Sequence, residues 1–193
     1  APSAAPRFWS IAAEGGIEQP MPMPRAFQGK ISPDGRYIAY RLNNSWDEER
    51  RNYRGGQNKP IWIMDLKSYE VVTPPWTDTK EMDPVWSGNT VYFLSDRDGV
   101  SNVWGYDMAS KHLPQVTTFT DFDVKTLDAG GNILVFEQAG YVHQLDPSPP
   151  QNPRDAQDQA VVDAALLRLR CAVDLEVRAG ARDQGLVLFT QSD

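Results

Sequence analysis

One pattern recurs along the chain and limits what it can fold into. Ile61-Trp62-Ile63-Met64-Asp65-Leu66 matches Val103-Trp104-Gly105-Tyr106-Asp107-Met108, and Val142-His143-Gln144-Leu145-Asp146 follows in the same register. Trp62 and Trp104 stand 42 positions apart, and Trp104 and His143 stand 39 apart. A weaker copy, Phe8-Trp9-Ser10-Ile11, precedes Trp62 by 53 positions because the unit between them carries an insertion. A period of about 40 residues holding about four short strands is the sequence sign of a β-propeller.

The stretch from Thr90 to Asp107 shows how one unit is built. Thr90 to Leu94 and Val103 to Tyr106 are short apolar runs with Asp96, Asp98, Gly99, Ser101 and Asn102 between them, the mark of a hairpin. Gly99 takes positive φ at no steric cost, and Asp98 and Asn102 suit a turning backbone. Both runs are apolar at successive positions. That predicts strands covered on both faces, as in a sheet packed between two other sheets.

The units are read in order. Residues 8–24 supply the last two strands of a blade, joined through Glu14-Gly15-Gly16. Residues 26–75 make a whole blade: a strand near Phe27 to Ile31, the turn Ser32-Pro33-Asp34-Gly35, Tyr37 to Leu42, a long loop, Ile61 to Leu66, and an outer strand near Glu70 to Thr73. Residues 82–119 repeat the order with Ser87-Gly88-Asn89 at the turn, and residues 121–146 begin a further blade. The expected fold is all-β: a partial β-propeller of four-stranded antiparallel blades, about three of them, over residues 1–146. Residues 147–193 read as a linker, PSPPQNPRD, and a short irregular or helical tail, since Val162, Ala165, Leu166 and Leu169 have helical spacing. No fourth strand is expected after Asp146, although Leu186 to Phe189 suits one last strand. A small appendage and a truncated or frame-shifted end both remain open for this tail.

Charge and cysteine usage narrow the partners. The net charge of -7 disfavours nucleic acid and anionic membranes, and no run of about 18 apolar residues exists to span a bilayer. The single cysteine, Cys171, gives no internal disulfide. The chain starts APSAAPRFW, without an initiator Met or the basic and apolar regions of a signal peptide. A cytoplasmic location is expected if that is the true start.

The 17 residues from Asn43 to Lys59 interrupt a hairpin that elsewhere needs only a handful. They join the second and third strands of their blade, as Asp96 to Asn102 do in the next, so both loops should project from one face. Long loops on rigid scaffolds carry binding. Arg50, Arg51 and Arg54 beside Tyr53 suit a peptide carboxylate or an acidic partner, because guanidinium forks match carboxylates. Against this, Asp47, Glu48 and Glu49 stand ready to neutralise them, and Gly55-Gly56 to do no more than turn the chain. Trp46 lies outside the repeat, as an exposed contact residue or a plug on the loop's own base.

Other chemistry finds little support. Asp96-x-Asp98-Gly99 lacks the further oxygen ligands and terminal Glu of a calcium loop, so it reads as a turn. His112 and His143 are 31 positions apart with no metal-ligand spacing, and His143 occupies the packing position of Trp62 and Trp104. No Gly-x-Ser-x-Gly elbow marks a nucleophile. Neither a cofactor nor a metal is expected.

MPMPRAF at 21–27, SPDGRYIAY at 32–40, NYRGG at 52–56 followed by IWIMDL, DPVWSGNTVYFLSDRDG at 83–99, and the TDFDV and GGNILVFEQAGYVHQLD runs occur in this order. In them, and across residues 8–146 generally, the chain resembles the N-terminal propeller region of the tricorn-type proteases, large serine peptidases. The resemblance covers about two-thirds of the chain, and the tail departs from it. It implies a piece of a six-bladed propeller, followed in the family by a second propeller, a PDZ-like domain and a Ser-His-Glu type catalytic region, none of which is found in this sequence. On that basis the chain is expected to lack catalysis of its own. It would serve substrate or product passage, or docking, in proteolysis of oligopeptides, with peptides or other domains of the parent protease as partners. The alternatives are a non-enzymatic TolB-like protein-binding propeller and a propeller attached to an α/β-hydrolase peptidase.

A propeller with this few blades leaves apolar faces and strand edges uncovered, which invites association. The isolated chain is therefore expected to be oligomeric or poorly soluble in light scattering; a clean, stable monomer contradicts the fragment reading.

Overall fold

Short strands buried on two faces dominate the structure, a computed structural model that describes residues 6–42, 52–148, 160–162 and 186–191. In chain order they are β1 (Arg7–Ala12), β2 (Gln19–Pro20), β3 (Phe27–Ile31), β4 (Tyr37–Arg41), β5 (Trp62–Asp65), β6 (Val71–Val72) and β7 (Glu81–Ser87). Then follow β8 (Thr90–Ser95), β9 (Asn102–Asp107), β10 (Val124–Gly130), β11 (Ile133–Gln138), β12 (Tyr141–Leu145), β13 (Ala160–Val162) and β14 (Leu186–Gln191). They form four antiparallel sheets in the orders β14-β1-β2, β3-β4-β5-β6, β7-β8-β9 and β10-β11-β12-β13. No helix occurs among the described residues.

The apolar runs explain why the sheets stack as blades. On β4, Ile38 and Tyr40 join Phe8, Met23, Ala26 and Met64 in one core, whereas Ala39 joins Ile61, Ile63, Trp86, Val91 and Phe93 in the next. On β8, Val91 and Phe93 face that second core, while Tyr92 and Leu94 enter a third with Val103, Val124, Leu134 and Phe136. Successive side chains of a strand point to opposite faces, so a continuous apolar run serves two interfaces at once. Each core fills the gap between consecutive sheets.

The turns follow from their residues. Ser32 Oγ accepts the Tyr37 amide at 2.8 Å and donates to Asp34 Oδ1, while Gly35 adopts φ 71° and bonds back to the Ser32 carbonyl. The three inner strands β3, β7 and β10 each carry a register shift, and Gln28 and Asp83 take φ 49° at the first two. These bulges are wired together. Arg41 donates to Gln28 Oε1 at 2.7 Å, Gln28 donates to Asp83 Oδ1 at 3.0 Å, and the Leu127 amide donates to Asp83 Oδ2 at 3.3 Å. The repeat position of His143 is a packing position, its ring stacked on Phe136 at 5.1 Å and tilted against Phe119 at 5.6 Å.

Two features differ from the sequence reading. A strand stands at the start of the stretch with helical spacing: Ala160–Val162 pairs with Val142, His143 and Gln144 and supplies the fourth strand of its sheet, which the sequence did not lead us to expect, while Ala165, Leu166 and Leu169 fall beyond the described residues. An open sheet edge offers unpaired backbone groups, and Val161 and Val162 are β-branched, so the edge outweighs the local periodicity. Residues 163–185 lie outside the described residues. In the third sheet the outer strand shrinks to an isolated bridge between Trp104 and Gln115. The strand expected near Leu186 is present and pairs along the whole of β1.

Close approach of the first two sheets needs Gly29. A Cβ there would fall within the edge of the Phe8 ring and 3.1 Å from Ile38 Cδ1. Gly29→Ala is expected to lower stability by about 1–3 kcal/mol in urea unfolding; an unchanged midpoint would show that this packing is looser than described.

Candidate functional site

The loop between β4 and β5 ends in Asn52-Tyr53-Arg54-Gly55-Gly56, and the structure fastens this part to the neighbouring blade. Tyr53, half-buried, folds its hydroxyl over Gly55, where any Cβ would collide with the ring. Asn58, buried, donates through Nδ2 to the Tyr53 carbonyl at 2.5 Å and to the Asp78 carbonyl at 2.8 Å. The segment before β7 is thereby tied to the loop.

Two carboxylates of the third sheet complete the fastening. Asp96, just after β8, accepts the Lys80 amide on Oδ1 at 2.9 Å. Its Oδ2 accepts the Asn52 amide at 3.1 Å and Arg54 Nη1 at 3.0 Å, while Arg54 Nη2 reaches the Asp96 carbonyl at 3.0 Å. Asn52 holds φ 54°, a left-handed conformation that Asn tolerates better than most residues. Glu81, on β7, accepts the Ile61 amide on Oε2 at 2.9 Å and Arg97 Nη2 on Oε1 at 2.7 Å. Arg97 also donates to Ser95 Oγ at 3.1 Å and lies 4.6 Å over the Trp104 ring. Burial pushes the Glu81 carboxyl up to about 7, against the opposing pull of the Ile61 amide and the Arg97 charge.

The five residues singled out from sequence thus part company. Tyr53 and Arg54 sit in this fastening, and Arg54 still exposes 37% of its side chain. Trp46, Arg50 and Arg51 lie outside the described residues. Sequence reasoning missed Glu81, Asp96, Arg97 and Asn58. The available signal was the placement of the two loops on one face, since Arg54 and Asp96 are 42 residues apart in sequence. Among the described residues no group of three or more His, Cys, Asp or Glu side chains is placed to hold a metal ion, and no helix is long and apolar enough to cross a membrane.

The model of the tricorn protease N-terminal beta propeller domain matches residues 1–151. The chain belongs to this family. A tricorn protease homolog of Saccharolobus solfataricus is 32% identical over 99 residues, which is 50% of this chain and 9% of the homolog. The tricorn protease of Thermoplasma acidophilum is 29% identical over 98 residues, again 50% of this chain and 9% of the relative. The chain therefore spans a small part of the relatives it matches. Among solved structures, a tricorn protease is similar over 81% of this chain and 15% of its own, with TM-score 0.54 and 21% identity. A TolB protein from Agrobacterium tumefaciens is similar over 72% of this chain and 52% of its own, with TM-score 0.58 and 18% identity. Both likenesses show the propeller fold.

In this tricorn-type propeller the Glu81 carboxyl gives a pH signature. Its folded value of about 7 lies above the ordinary 4.5, so the folded chain holds this proton more tightly than the unfolded one. The stability it contributes is full below about 4.5 and is lost as pH rises through about 7, on the order of 3 kcal/mol across the window. Glu81→Gln should remove that fall from a plot of unfolding free energy against pH; an unchanged slope would assign it to another group.

Proposed function

We propose that this chain forms part of a docking and passage wall for oligopeptides in a tricorn-type serine peptidase, and carries no catalytic residue of its own. In this reading residues 1–146 are the propeller portion, and residues 147–193 are a linker and tail lending strands to its sheets. The protein works in the cytoplasm. Its partners are peptides and the other domains of the parent protease.

The observation that supports this most is the fastening of the inserted loop. A segment free to wander would lose ordering entropy on each binding event, whereas residues 52–58, the end of the loop, are already held by charge-assisted and backbone bonds. The loop bears Arg50 and Arg51 just before the fastened Asn52, and paired guanidinium groups suit the terminal carboxylate of a peptide. A second reading, a protein-binding propeller like TolB, draws on the exposed Phe122 and Tyr141. These two flank Gln138, which donates to the Phe122 carbonyl and pairs with Tyr141.

Calorimetry on the chain with an oligopeptide and its C-terminal amide separates the two. Binding of the free acid should exceed that of the amide, and Arg50→Ala with Arg51→Ala should weaken acid binding by about tenfold or more, the worth of a charge-assisted bond. Equal affinity for acid and amide, or an unaffected double variant, would defeat the carboxylate reading. Loss of protein binding on replacing Phe122 and Tyr141 by Ala would favour the second.

A further inference from the structure

The two sides of β1 are engaged very unequally. On one side the Met21 amide donates to the Phe8 carbonyl at 3.0 Å. Main-chain groups of successive residues in a strand point to opposite sides, so Phe8 and Ser10 serve β2, while Arg7, Trp9 and Ile11 direct their N–H and C=O groups towards β14. Pro20, opposite Trp9 on β2, fits this assignment, because a residue without an N–H stands where no ladder bond is due. β2 pairs with Trp9 and Ser10 alone, whereas β14 pairs along the whole strand, from Arg7 with Gln191 to Ala12 with Leu186.

β1 is also anchored independently of β14. Phe8, buried, is set in the core with Ile38, Tyr40 and Met64, and the Ala26 amide donates to the Pro6 carbonyl at 2.9 Å. Without β14 the strand would keep its place and present the main-chain groups of Arg7, Trp9 and Ile11 in a row, a ready template for an added strand. β14 itself comes from beyond residue 151, where the family match ends. Its residues, Leu186-Val187-Leu188-Phe189-Thr190-Gln191, carry no charge.

We infer that this edge of β1 is a binding site for an extended, uncharged peptide segment, which joins the sheet antiparallel through main-chain bonds, and that β14 occupies it as a built-in competitor. Strand addition takes its affinity from the main chain, so the site selects an extended, uncharged backbone before any particular side chain. It uses no residue of the inserted loop and is independent of the carboxylate reading above. Because β14 belongs to the same chain, it competes at an effective concentration on the order of millimolar, and an incoming segment binds weakly until β14 is loosened.

The alternation along the ladder supplies the test. Phe189 stands opposite Trp9 where both bonds are exchanged, so Phe189→Pro removes an N–H from the ladder. Leu188→Pro, one residue away, puts the missing N–H on the outer side of an edge strand, where proline is tolerated. The probe is the acetylated, amidated peptide of residues 186–191 carrying a fluorophore, with N-methyl versions at its Phe and at the Leu before it. Anisotropy reads binding to the 193-residue chain, amide exchange reads the ladder, sedimentation reads mass, and the near-ultraviolet signal is the folding control.

Phe189→Pro should bind the probe at least tenfold tighter than wild type or Leu188→Pro, and the methyl at Phe, not at Leu, should abolish that binding. The Trp9 and Ile11 amides should exchange at least tenfold faster in Phe189→Pro and slow again when the probe is added. A folded Phe189→Pro chain that does not bind the probe would overturn the site. Unchanged exchange at Trp9 and Ile11 in that chain would overturn β14 as the occupant. Equal binding of the two N-methyl peptides would overturn main-chain pairing. A doubled wild-type mass that Phe189→Pro abolishes would give the site to β14 of a second copy and overturn the competitor within the chain. In wild type, saturating probe should speed exchange of the Val187 and Phe189 amides; unchanged exchange there overturns the site without reliance on any substitution.

Discussion

Two-sided burial of the middle strands is the constraint on which the rest of the structure depends. β4 and β8 each send alternate side chains into two different cores, so no sheet is stable without its neighbours. Phe93 and Ile38, both fully buried, act as wedges between consecutive blades. Everything at the loop ends inherits its geometry from this stack. Asp96 meets Arg54 because the packing of Ile61, Ile63, Val91 and Phe93 sets the second and third sheets side by side.

That arrangement makes the end of the inserted loop part of a structural junction between two blades. The apolar core between the sheets ends in a buried ionic layer of Glu81 and Arg97, with Asp96 at its rim. Buried charges are tolerable only when paired and hydrogen-bonded, and here Glu81 has a guanidinium on one oxygen and a backbone amide on the other. Arg97 is further held by the faces of Trp104 and Phe93. The layer fixes Asn52 near the end of the inserted loop and Ile61 just after it, so the chain is held on both sides of the point where it rejoins its blade.

Much of the fold was legible because the repeat is spelled in side chains that the blades must bury. Trp62, Trp104 and His143 occupy one packing position, and the turn at Ser32-Pro33-Asp34-Gly35 forms the bonds that its residues favour. The strand at Ala160–Val162 was illegible because its partner, the edge of β12, decides its state and local spacing does not. The bulges at Gln28 and Asp83 were also hidden, since neither residue announces a left-handed backbone; their bond to one another holds them there. At the site, Tyr53 and Arg54 could be picked out by type and loop position, but Asp96 reads in sequence as an ordinary turn residue. Its contact with Arg54 exists only once two blades are packed.

A double-mutant cycle between Arg54 and Asp96, read by urea unfolding of the chain, tests most directly whether one blade holds the loop of the next. Arg54→Gln, Asp96→Asn and the double variant give the coupling free of each residue's other contacts. The account predicts a coupling of about 1 kcal/mol or more, with the double variant less destabilised than the sum of the singles. Additive effects would contradict it and leave the two blades energetically independent at this point.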